Sequence, residues 1–85
     1  MTLQHAGHLV IDAASREDVD RILQIEQESF SAPWSRKMFE VELEGNPFGH
    51  LYIARPADRH EHEAVIGYAC FWVVFEGFRL MNLAV

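Results

Sequence analysis

Three groups of residues in this 85-residue chain are of types that do chemistry. The first is a single carboxylate. In "AASREDVDRILQIEQESF" the residues Val19, Ile22, Leu23 and Phe30 fall on one stripe at helical spacing. At about 100° per residue, Glu26 projects into the middle of that stripe. A carboxylate among apolar neighbours needs partners. Either it accepts hydrogen bonds from backbone N–H groups of a neighbouring loop and holds that loop in shape, or it takes part in chemistry directly. The second group is His60 and His62 with Glu61 and Glu63. His-x-His in a strand puts both rings on one face, which is a real ligand spacing for zinc. These four residues occupy a hairpin connection with no further Cys or His nearby to complete a tetrahedral set, so a solvated loop is expected and no metal. The third is Cys70, the one cysteine, inside an apolar run. It reads as a buried small hydrophobe rather than a nucleophile.

The elements that must position these groups follow in short, punctuated steps. His8 to Ile11 is an apolar run that reads as a first strand. Ser15, followed three residues later by Asp18, is a capping-box-like start for a helix from about Arg16 to Ser29. In "SAPWSRKMFEVELEGNPFGH", Pro33 disfavours a helical conformation at Ala32, and Ser35 is an N-cap for a second helix with Met38, Phe39 and Leu43 as its inner face. Gly45 ends that helix and Asn46-Pro47 turns the chain. Ser31 to Trp34 is thus a short stiff loop between two helices, with an indole at its tip.

Strands follow. "HLYIAR" leads through the charged "PADRHEHE" into the long apolar run "AVIGYACFWVVFEGF". Period-2 alternation sends Val65, Ala69, Phe71, Val73 and Phe75 one way, and Ile66, Tyr68, Cys70, Trp72 and Val74 the other. A strand apolar on both faces sits mid-sheet, covered on each side. If both helices pack on one face, the other face is bare.

Composition narrows the partners. Seven Lys plus Arg against 13 Asp plus Glu give a formal net charge of −6, which argues against direct nucleic-acid binding. No run approaches the roughly 18 apolar residues that span a bilayer, so no membrane partner is expected. The start lacks a basic segment followed by an apolar one, and one cysteine allows no intrachain disulfide, so a reducing, cytoplasmic setting is the expectation.

In this order of elements, "IEQESFSAPWS" (Ile25 to Ser35) followed by "LMNLAV" (Leu80 to Val85) resembles the GNAT acetyltransferase superfamily, in its ribosomal-protein-alanine N-acetyltransferase or RimI-type branch. The resemblance implies an α+β fold, an α/β sandwich with a mostly antiparallel sheet built in the order strand, helix, helix, strand, strand, strand. It implies acetyl-CoA as co-substrate and a protein N-terminus as acceptor, a ribosomal protein's being one candidate. In the family "NLAV" is the fourth strand, and it leads into an Arg/Gln-x-x-Gly-x-Gly/Ala loop whose N–H groups and helix start hold the pyrophosphate. The chain stops at Val85 before such a loop, so residues 1–85 are expected to be the N-terminal part of one GNAT domain, with the general base and acid beyond Val85.

Carried over by position, Leu83, Ala84 and Val85 are cofactor residues. In the family the main chain at Leu83 and Val85 pairs with the pantetheine arm beside the thioester. Pro33 and Trp34 match the loop that lines the acceptor cleft, and Glu26 supports that loop. Ala32-Pro33-Trp34 departs from the family's usual Phe-Pro-Trp. Apart from the resemblance, Trp34 reads equally as a lid on the core beneath the second helix, and Leu83 and Val85 as ordinary sheet residues. The rival function is a non-enzymatic half-domain whose exposed last strand pairs with another chain, for example as a homodimer.

Overall fold

A computed structural model describes residues 8–74 and 77–85. Its first helix begins where Ser15 and Asp18 meet: the Ser15 backbone N–H donates to Asp18 Oδ2 at 2.8 Å. One 3-10 turn, Arg16–Asp18, feeds helix α1, Val19–Ser29. Helix α1 buries Val19, Ile22, Ile25 and Glu26. Ile25 completes the inner stripe in place of Phe30. That residue caps the helix in an extended conformation, which swings its ring out to 38% exposure.

Ser35 caps the second helix, its Oγ accepting from the Met38 N–H at 3.3 Å. Helix α2, Arg36–Glu40, is short and runs on into a π-helical turn, Val41–Gly45. Phe39 is fully buried and Leu43 packs beside it, four residues on and so on the same face. Met38, expected on that inner face, is 44% exposed, because it lies one step around the helix from Phe39.

Four antiparallel strands form one sheet in the order β1-β2-β3-β4: β1 Leu9–Ala13, β2 Gly49–Pro56, β3 Gly67–Val74 and β4 Gly77–Ala84. The α+β architecture read from the sequence is the one present. Leu51 and Ile53 of β2, Tyr68 and Cys70 of β3, and Ala84 of β4 face α1 and α2 and form the core with Ile22, Ile25 and Phe39. Strand β3 lies mid-sheet as expected, but among the described residues helices cover one face alone and not both, because α1 and α2 pack on the same side. The opposite face carries exposed Leu9, Ile11, Val73, Phe78, Leu80 and Leu83. On it His50, Tyr52 and Phe78 stack around Phe71, with ring centroids 5.2, 5.7 and 5.0 Å away.

The alternation predicted along the apolar run holds from Gly67 onward and fails before it. Val65 is buried against the α1 side and Ile66 is exposed, because the strand begins only at Gly67 and a 3-10 turn, His62–Ala64, leads into it. Arg21 Nε donates to the Val65 carbonyl at 2.9 Å and fixes that reversal. Phe75 lies outside the described residues.

His60 and His62 are exposed, and among the described residues no group of three or more His, Cys, Asp or Glu side chains is arranged to hold a metal. His62 instead meets the buried Asp18, Nδ1 to Oδ1 2.7 Å, and so ties the β2–β3 connection to the start of α1. That carboxylate holds the imidazole above its usual value. A raised folded-state pKa stabilises the fold fully below the ordinary imidazole value of about 6.5 and loses that contribution as pH climbs through the raised value. Melts of the parent and of His62→Gln should therefore diverge most below about pH 6 and converge as the pH rises through the raised value. Equal separation across the range would contradict this. No helix among the described residues is long and apolar enough to cross a membrane.

Candidate active site

Glu26 sits on the inner stripe of α1 with 1% of its surface exposed, and three donors from three other elements converge on it. The Trp34 backbone N–H donates to Oε2 at 2.8 Å. Asn82 Nδ2 of β4 donates to Oε1 at 2.7 Å, and the Tyr68 hydroxyl of β3 donates to the same oxygen. One buried carboxylate thus joins the loop after α1 to the two strands at the β4 edge of the sheet. Burial, and next the hydrogen bond to Glu26, push the Tyr68 phenol above its usual value, so it stays protonated at neutral pH.

The residues selected from the sequence occupy the two ends of this junction. Pro33 is exposed, while the Trp34 indole is half-buried and packs on Phe39 at 5.1 Å. At the other end Leu83 is 52% and Val85 88% exposed, with Ala84 turned into the core. Beside them is an open apolar depression of about 130 Å³, whose walls include Ile11, Tyr52, Ala69, Leu83 and Val85. Gly67 borders it. A Cβ there would lie 3.0 Å from the Ala84 carbonyl and 3.3 Å from Val85 Cγ2, so the strand end depends on the bare backbone at this point.

Two members of the junction, Tyr68 and Asn82, carry no local signal of their role, since they lie 42 and 56 residues from Glu26. What brings Asn82 inward is a bulge in β4. Cys70 faces Asn82 but Phe71 faces Leu80, which leaves Met81 as the extra residue. The bulge reverses the alternation, so Leu80 and Phe78 face the bare side while Asn82 and Ala84 face the helices.

Cys70 is fully buried and its thiol is pushed up to about 12 by burial and then by the Glu42 carboxylate, which makes it inert at neutral pH. Glu42 Oε1 accepts from Trp72 Nε1 at 2.7 Å and from Asn46 Nδ2 at 3.2 Å, a second junction that fastens the π-helical turn to β3.

No family model matches the chain. A Bacillus subtilis (strain 168) protein provisionally named ribosomal protein bS18-alanine N-acetyltransferase is 35% identical over 69 residues, or 81% of this chain and 42% of that protein. The crystal structure of the ribosomal-protein-S18-alanine N-acetyltransferase from Escherichia coli superposes with a TM-score of 0.70 at 22% identity, covering 91% of this chain and 45% of that one. The chain therefore spans less than half the length of either protein it matches. The chain is thus similar in sequence to the first of these proteins and shares its fold with the second.

Proposed function

We propose that this chain is the N-terminal part of a single-domain N-acetyltransferase that moves the acetyl group of acetyl-CoA onto the N-terminal α-amino group of a protein, of the ribosomal-protein-alanine kind. The observation that carries the proposal is the Glu26 junction: the Trp34 corner and the β4 end, the acceptor and cofactor segments of the resemblance, hang on opposite oxygens of one carboxylate. The similarity to the Bacillus protein supports the same reading. The exposed apolar face of the sheet fits a domain whose remaining elements cover it.

In this reading the thioester arm lies along Leu83, Ala84 and Val85, with the main chain pairing its amides. A backbone N–H aimed at the thioester carbonyl stabilises the oxyanion formed when the amine attacks. Pro33 and Trp34 line the acceptor side. Attack by the amine is direct in this reading, and Cys70, buried and protonated, is not a nucleophile. An α-amino group with a pKa of about 7.7–8.0 becomes neutral far more readily than a lysine at about 10.4, so a modest base suffices. Glu26 is not that base, because three protein donors already occupy it. The general base and acid are assigned to residues after Val85.

The test is thiol release from acetyl-CoA with a peptide bearing an N-terminal alanine, using a product of the gene that continues past Val85. Release with this peptide and not with its N-acetylated form is expected, and little turnover from residues 1–85 alone. No release from the longer product overturns the reading. One observation favours the rival function: β4 is an edge strand bearing exposed Phe78, Leu80 and Leu83, a surface open to pairing with a second chain. Sedimentation of residues 1–85 as a clean monomer at high concentration disfavours that alternative.

A further inference from the structure

We propose that Asn82 is a positioning residue for acetyl transfer, its amide linking the acceptor loop to the main chain that faces the thioester. The inference rests on the acetyl-transfer reading above and adds a residue and a role to it. Asn82 is half-buried on the helix side of β4, and both ends of its amide are engaged. Nδ2 donates to Glu26 Oε1 at 2.7 Å, and Oδ1 accepts the backbone N–H of Leu83 at 3.2 Å. The donors on Glu26 fix which way the amide faces, since only its nitrogen can donate to a carboxylate. The path from the acceptor corner to the strand end is then Trp34 N–H, Glu26, Asn82, Leu83 N–H, in which every link is a hydrogen bond.

The bulge at Met81 gives this chain of contacts its geometry. Without it Asn82 would face the bare side of the sheet and could not reach Glu26. Glu26 is almost fully buried, so water does not readily replace a missing donor, and loss of the Asn82 amide is transmitted to its neighbours. Reactions that depend on aligning two substrates lose rate when one side shifts by about 1 Å.

Asn82→Asp removes the donor and sets a carboxylate against Glu26. Glu26→Gln in the same molecule reverses the polarity: the new amide nitrogen donates to Asp at 82, its oxygen accepts from Trp34, and the Tyr68 hydroxyl turns to accept. The kinetic arm uses the longer gene product, with rates expressed per folded molecule. Asn82→Asp should lower kcat by about tenfold or more while both KM values change by less than about threefold, and the double variant should recover most of kcat. An unchanged kcat in Asn82→Asp, or no recovery in the double variant, overturns the proposal. A loss of activity explained wholly by a smaller folded fraction does so too.

The second arm does not require activity. In amide NMR spectra of residues 1–85, Asn82→Ala should shift the Trp34 and Leu83 backbone N–H signals, and Glu26→Gln should shift that of Leu83. Unmoved signals across the junction overturn the proposal. Should the longer parent transfer no acetyl group, the acetyl-transfer reading and the catalytic role of Asn82 fall together. Shifts in the spectra would then leave the Glu26–Asn82 bridge standing as architecture alone.

Discussion

Glu26→Ala should destabilise the chain by about 3–5 kcal/mol, the usual cost of removing one partner from a buried, charged hydrogen-bond network. The substitution strands the Trp34 N–H, the Tyr68 hydroxyl and the Asn82 amide around a site with 1% exposure. Each such orphaned group costs about 1–3 kcal/mol, and partial relaxation keeps the total below the simple sum. Glu26→Gln should cost less, about 1–2 kcal/mol, since its oxygen still accepts from Trp34 and Tyr68 can turn, which leaves only amide against amide at Asn82. Urea unfolding of the three proteins measures this order. A Glu26→Ala variant within about 0.5 kcal/mol of the parent would show that the convergence of donors does not hold the fold together.

Phe39→Ala should cost a comparable amount, roughly 3–5 kcal/mol, for a different reason. Its ring has no exposed surface and stands between the Trp34 indole at 5.1 Å and the Tyr68 ring at 5.6 Å, the latter edge-on at 88°. Truncation removes the transfer energy of a full aromatic side chain, opens a cavity between α1, α2 and β3, and cancels two aromatic contacts. It also loosens the Trp34 indole in the loop between the two helices. Met38→Ala, one residue away and exposed, is the internal control and should stay within about 0.5 kcal/mol. Equal losses for the two variants would contradict the assignment of Phe39 to the core and Met38 to the surface.

Much of this arrangement was legible from local patterns. The caps at Ser15 and Ser35, the break at Pro33 and the alternation from Gly67 onward are set by nearest neighbours, and each is found in the fold. The anomaly of Glu26 could be read as well, because a carboxylate amid Ile22, Leu23 and Phe30 signals a buried partner. Its donors could not. Tyr68 and Asn82 reach it only through the register of β3 against β4, and that register contains a bulge which reverses the facing of Leu80 and Asn82. A bulge is an insertion relative to a partner strand, so one strand's own alternation does not disclose it. Phe30 and Val65 depart from their expected directions for a related reason. Each lies just beyond the end of its element, where the period that predicts its direction no longer applies.

The claim on which the account depends is that one buried carboxylate clamps the Trp34 corner to the β4 end of the sheet. Hydrogen exchange at the Trp34 backbone amide tests it most directly, since this N–H belongs to an exposed-looking loop and its acceptor is Glu26 Oε2 at 2.8 Å. The account predicts protection of the Trp34 amide approaching that of the core strand amides of β3, and its loss in Glu26→Ala under conditions where β3 remains protected. Exchange of the Trp34 amide at the rate of an open loop in the parent protein would contradict it.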